Sequence, residues 1–266
     1  AWRDALRQSG WTAAILSGSV EEYRPLLGHL LTSPDWHLAA LTNQGYLFLR
    51  TPGTAAPSIH ATEFHLGNAR DTAVYLAQIA GYYDAAGRPT AARACIEQAL
   101  QIAPASTAVL SHAATFAVAH KRWQEAIAFA DKTLAREPGN PHARLVKALA
   151  LLETGQAGKA LPQVDEVLDR APEDLYSLFL KARICRTLND YVTEAETLER
   201  VVAVNEKAGM PVTNYRIFLG QAYARQGQAE PALANYRTVL ASGELNAEQA
   251  EEIREAIATI EAKTRP

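Results

Sequence analysis

The sequence predicts a mainly α-helical fold: a right-handed α-solenoid of helix-turn-helix repeats, preceded by a small α/β segment. Three observations carry this expectation. The segments "CIEQALQIAP", "AFADKTLAREP" and "QVDEVLDRAP" end alike, with prolines at 104, 138 and 172, two successive intervals of 34 residues. Working back from each proline, a helical apolar pattern carries Ala92, Ala126 or Ala160, and before it lies a break at Gly87, His120-Lys121 or Gly155. A period of this length marks stacked supersecondary units. The stretch "WHLAALTNQGYLFLRTPG", residues 36–53, reads differently: two apolar runs flank Asn43-Gln44-Gly45, the pattern of a β-hairpin.

Each repeat is expected to be helix, short turn, helix. The alanine lets the two helices approach, and the proline closes the unit because it cannot continue a helix and restricts the residue before it. Five such units follow, 73–106, 107–140, 141–174, 175–212 and 213–246. The fourth is longer by four residues, one placed near "LNDYVTEA" and the rest in "NEKAGMP". Residues 247–266 read as a capping helix, opened by Asn246 with Gln249 three positions on and carrying Ile253, Ile257 and Ile260 on one face. An end repeat needs such a cover for the surface its missing neighbour would bury.

Residues 1–58 read as helix, strand, helix and hairpin, with "WTAAIL" as the third strand, and 59–72 as a linker. Ser19 with Glu22 is a capping box at the start of the second helix. The chain begins at Ala1 and its only methionine is Met210, so a longer parent is expected.

The 266 residues are 48% hydrophobic and 21% charged, enough apolar content for a folded protein, and the net charge is −3. With no basic stripe, neither nucleic acid nor direct membrane contact is expected. Cys95 and Cys185 stand outside any metal-ligand spacing and read as small buried apolar residues. "ILSGSVEE" places a Ser-Gly-Ser turn before a helix but lacks the glycine spacing of nucleotide-binding loops. "HATEFH" gathers His60, Glu63 and His65 without a fourth ligand. The chain is therefore read as non-catalytic, with no metal and no cofactor.

The repeats resemble the tetratricopeptide repeat family. Residues 73–106 carry its pattern with Leu76, Ile79, Ala80, Tyr83, Ala92, Ile96, Ala99 and Pro104, and residues 213–246 with Leu219, Gly220, Tyr223, Gly227, Ala232, Tyr236 and Val239. The second unit departs, having Ala117 and Ala130 where aromatic residues are usual. The resemblance implies a concave groove, lined by fixed positions of each first helix, that binds a peptide or protein segment. Carried over, those positions place Leu145 and Leu149 in the third repeat, Tyr176, Phe179, Arg183 and Arg186 in the fourth, and Gln221 and Arg225 in the fifth. Aromatic anchors beside arginines are the residue types of binding hot spots, so an apolar group on Tyr176 and Phe179 and carboxylates on the arginines are expected.

Leu31, Trp36, Leu38, Tyr46, Phe48, Leu49 and Arg50 resemble a motif in the soluble tail of bacterial membrane glycosyltransferases of the protein-mannosyltransferase type. That resemblance implies an alternative role as an accessory region whose catalytic part lies upstream. The chain would then lie on the extracytoplasmic side of a bacterial membrane, and otherwise in the cytoplasm.

Overall fold

The structure is a computed structural model that describes residues 13–16, 26, 30, 33, 36–42, 45–50, 69–85 and 87–264. The chain divides into two compact units, Ala1–Pro138 and Gly139–Pro266. The helix expected over residues 1–8, the Ser-Gly-Ser turn and "HATEFH" lie outside the described residues, and so does most of the helix expected after Ser19, of which Leu26 and Leu30 are helical.

The first unit opens on a three-stranded antiparallel sheet of β1 (Ala13–Leu16), β2 (Trp36–Thr42) and β3 (Gly45–Arg50), in the order β1-β3-β2. The hairpin strands pair from Trp36 opposite Arg50 to Thr42 opposite Gly45, with a bulge between Leu38 and Ala40. β1 pairs with the other edge of β3, from Ala13 opposite Leu49 to Leu16 opposite Tyr46. A two-stranded hairpin is marginal in water, and the third strand supplies what it lacks. Leu30 and Trp36 are buried in one apolar cluster with Leu76, Ile79, Tyr83, Cys95 and Phe116, so the front segment shares a core with the first helices.

Four helices complete this unit: α1 (Ala69–Ala85), α2 (Pro89–Ile102), α3 (Thr107–Ala119) and α4 (Trp123–Leu134). α1 starts ahead of residue 73, so residues 69–72, expected in the linker, form its first turn, where Asp71 suits the positive end of the helix. The second unit holds α5 (Pro141–Glu153), α6 (Ala157–Leu168), α7 (Leu175–Thr187), α8 (Tyr191–Lys207), α9 (Thr213–Arg225), α10 (Ala229–Ala241) and α11 (Ala247–Thr264). Successive helices pack as antiparallel pairs, α1 with α2 through α9 with α10.

One device makes every pair. The residue between its two helices has positive φ: Gly87 (72°), Lys121 (55°), Gly155 (75°), Asn189 (60°) and Gly227 (76°). Each turn closes with the same two bonds. Arg88 N donates to Tyr83 O while Gly87 N donates to Asp84 O, and the equivalents recur at Arg122, Gln156, Asp190 and Gln228. This is the Schellman arrangement, which satisfies carbonyls the first helix would otherwise leave open. Left-handed backbone costs a β-carbon about 1–2 kcal/mol, so Lys121 is the least suited of the five. Urea denaturation is expected to show Lys121→Gly more stable by about 0.5–1 kcal/mol and Gly155→Ala less stable by about 1 kcal/mol. Nothing lies within 4 Å of a β-carbon built at Gly155, so its cost is conformational alone.

These turns correct one sequence expectation. Asn189 follows Gly155 by 34 residues, so "LNDYVTEA" contains no insertion. All four additional residues fall after Asn189, where α8 runs to 17 residues against 12 in α4 and α6. Five positions after each turn residue stands a small, fully buried side chain: Ala92, Ala126, Ala160 and Ala232, each 0% exposed. In the fourth pair that position is Glu194, also 0% exposed.

α11 starts with a reciprocal capping box. Gln249 N donates to Asn246 Oδ1 at 2.9 Å and Asn246 N to Gln249 Oε1 at 3.1 Å. Ile253 is buried and Ile257 and Ile260 are half-buried, on the side that packs on α10. No helix among the described residues is long and apolar enough to cross a membrane.

Candidate functional site

The second unit presents side chains that its core leaves over. In α7, Ser177, Leu178, Leu180, Ala182, Ile184 and Cys185 are buried, and the helix is fixed at its start by Asp174, whose Oδ2 accepts from Ser177 N at 2.8 Å. What remains at i, i+3, i+7 and i+10 is Tyr176, Phe179, Arg183 and Arg186, one stripe by helical periodicity. In α9, Asn214, Phe218, Gln221 and Arg225 share one face at i, i+4, i+7 and i+11, with Phe218 and Arg225 each one position past the counterparts of Phe179 and Arg186. In α5, Leu145 and Leu149 are half-buried one turn apart.

Aromatic packing joins α7 to α9. The Phe179 ring meets Tyr215 edge-on with centroids 5.7 Å apart and Phe218 at 5.9 Å, within the range of favourable aromatic pairs. Beside them opens a cleft of about 530 Å³ lined by Phe179, Pro211, Thr213, Asn214, Tyr215, Phe218, Glu244 and Gln249. Tyr176, 51% exposed, stands one turn before Phe179, and Met210, 56% exposed, directly precedes Pro211. Leu145 and Leu149 do not line this cleft.

α9 enters the cleft without the side-chain cap that α5 and α7 have. Asn140 and Asp174 accept from the first-turn N–H groups of α5 and α7, at 3.0 and 2.8 Å, whereas the equivalent residue before α9 is Val212, which has no side-chain acceptor. The Glu244 carboxylate stands there instead and accepts the Thr213 hydroxyl.

The three arginines differ in how they are held. Arg183 Nη2 donates to Glu153 Oε1 of α5 at 2.7 Å, with both side chains partly exposed. Arg186 Nε donates to Glu194 Oε1 at 2.5 Å, and its guanidinium lies 4.8 Å from the Phe218 ring centre. The second oxygen of Glu194 is buried and accepts no hydrogen bond among the described residues. Arg225 is exposed, lies 5.6 Å from the Tyr191 ring centre, and makes no ion pair with a carboxylate among the described residues.

Other contacts hold α9 in place. Arg216 donates to Glu206 of α8 at 2.5 Å and to Asn235 of α10 at 3.3 Å, and Tyr223 donates its hydroxyl to Glu199 of α8. Burial, with the Glu199 carboxylate adding to it, pushes the Tyr223 hydroxyl up to about 12. Burial likewise pushes the Cys95 thiol up to about 12 and that of Cys185 up to about 11. Both cysteines are free and buried, so neither offers a ready thiolate.

Sequence reasoning missed Glu194, Tyr215, Phe218 and Glu244. The offset of five from Asn189 marks Glu194. The aromatic pair in "NYRIF", beside the lengthened connection, marks the cleft.

Residues 78–141 match the tetratricopeptide repeat family model, and residues 119–201 match the model for anaphase-promoting complex, cyclosome, subunit 3. No curated protein matches the chain. Among solved structures, MamA (41-end) from Desulfovibrio magneticus RS-1 is 19% identical and superposes with a TM-score of 0.58 over 65% of this chain and 94% of its own. PilW, a widely conserved type IV pilus biogenesis factor, is 18% identical with a TM-score of 0.59 over 69% of this chain and 82% of its own. YrrB, a tetratricopeptide repeat protein with an unusual peptide-binding site, is 15% identical with a TM-score of 0.57 over 69% and 92%. At these identities the likeness is one of fold: the helix pairs of this chain are arranged as in tetratricopeptide repeat structures.

Proposed function

We propose that this chain is a non-catalytic interaction scaffold that binds a peptide or protein segment along the α7 and α9 stripes of its second unit. The observation that carries the reading is the cleft itself, where Phe179, Tyr215 and Phe218 converge and Tyr176 and Met210 stay exposed beside it. Large apolar side chains left in water next to a concave aromatic site mark interaction surfaces. The repeat fold serves many unrelated partners, so it supports binding in general and names none. YrrB, described as having a peptide-binding site, offers an analogy of fold. The glycosyltransferase resemblance in residues 31–50 rests on sequence alone and adds nothing to this reading.

The groove residues are Leu145, Leu149, Tyr176, Phe179, Arg183, Arg186, Gln221 and Arg225, with the aromatic residues taking an apolar group. The test is an immobilised peptide array probed with the full chain and with Tyr176→Ala/Phe179→Ala, after circular dichroism shows both folded. Capture reduced at least tenfold in the variant is expected. Equal capture by both would move the binding surface elsewhere.

A further inference from the structure

The three groove arginines are not equally available to a ligand. Arg183 and Arg186 are each bonded to a carboxylate of the chain itself, Glu153 and Glu194. Removing Arg186 from Glu194 would leave a fully buried carboxylate uncompensated, a strongly unfavourable exchange. Arg225 is the exposed one, resting on the Tyr191 ring. It lies seven residues beyond Phe218 on α9, two turns along the same stripe, which at 1.5 Å per residue is about 10 Å. An extended peptide covers that distance in about three residues.

The other end of the stripe has the opposite sign. The acidic side chain lining the cleft is Glu244, which accepts the Thr213 hydroxyl at the start of α9. A second carboxylate placed there would meet like charge. The site therefore grades from an aromatic cleft with an acid at its edge to an exposed cation two helical turns away. α8, with 17 residues against 12 in α4 and α6, precedes this cleft, and Met210 and Pro211 belong to the connection that follows it.

We infer that the ligand is a peptide segment with a large apolar anchor residue in the cleft and a single carboxylate about three residues from it, paired with Arg225, and with no acid adjacent to the anchor. This rests on the binding role proposed above and specifies what that surface selects.

The experiment is selection of a random dodecapeptide display library on the full chain, with counter-selection on Tyr176→Ala/Phe179→Ala to keep groove-dependent sequences. Enriched peptides are expected to share an aromatic or large aliphatic residue, with Asp or Glu three or four positions away and none next to it. A synthetic probe of that pattern should lose at least about tenfold in affinity on Arg225→Glu, since a hydrogen bond to a charged group is at stake. The same variant should favour a probe with Lys in place of the acid. Groove-dependent peptides without that spacing, or a probe indifferent to Arg225→Glu, would overturn the inference and leave the binding role standing. No groove-dependent peptide at all would overturn both.

Discussion

Arg186→Leu is expected to lower the unfolding free energy by about 3–5 kcal/mol, Glu194→Ala to cost distinctly less, and the double variant to recover most of the loss. The asymmetry comes from where the two groups sit. The Glu194 side chain is 0% exposed and that of Arg186 30% exposed, so losing the arginine strands a charge in the interior. Losing the glutamate leaves a guanidinium that reaches water and keeps the face of Phe218. Alanine at 194 would match Ala92, Ala126, Ala160 and Ala232, which are buried at the same position after the other turns. Urea denaturation of the four proteins gives the coupling directly. Equal losses in the two single variants that simply add in the double would contradict the account. Because Arg186 has this structural role, binding tests that remove it would confuse folding with recognition.

Gly220→Ala is the second large effect, with an expected loss of about 1–3 kcal/mol from overpacking. A β-carbon at Gly220 would stand 2.6 Å from Cε1 of Tyr236 and 2.9 Å from its Cδ1. These atoms belong to the rigid ring of a side chain 3% exposed, so the ring or the helix must shift. Gly81 is the matched control, lying inside α1 with nothing within 4 Å of a built β-carbon. There alanine should gain about 0.5–1 kcal/mol from helix propensity. Opposite shifts in the two urea midpoints are expected, and Tyr236→Leu should relieve part of the Gly220→Ala loss. A neutral Gly220→Ala would mean that α9 and α10 are not held as closely as the structure places them.

The repeat architecture was legible in the sequence because its determinants are local. A turn residue able to take positive φ, a small residue five positions later and a proline after the second helix recur along the chain, and each acts within one helix pair. The hairpin was legible for the same reason, and Ala13–Leu16 joins it as the third strand. Glu194 was hidden because Ala195 beside it suggests an inserted residue, and only the backbone at Asn189 shows that the register is unbroken. The eight groove residues follow from fixed repeat positions, yet the side chains that decide the chemistry lie off those positions. Glu194 removes Arg186 from the free cations, and Tyr215 with Phe218 builds the cleft that Phe179 alone could not make. Those are consequences of three-dimensional packing next to a lengthened α8, which no single repeat records.

Hydrogen exchange of the full chain, with and without the tightest groove-selected dodecapeptide, locates the binding surface. Slowed exchange is expected in α7, in α9 and in the connection 208–212. Slowed exchange confined to residues 69–134, or to the outer turns of α11, would contradict binding along α7 and α9.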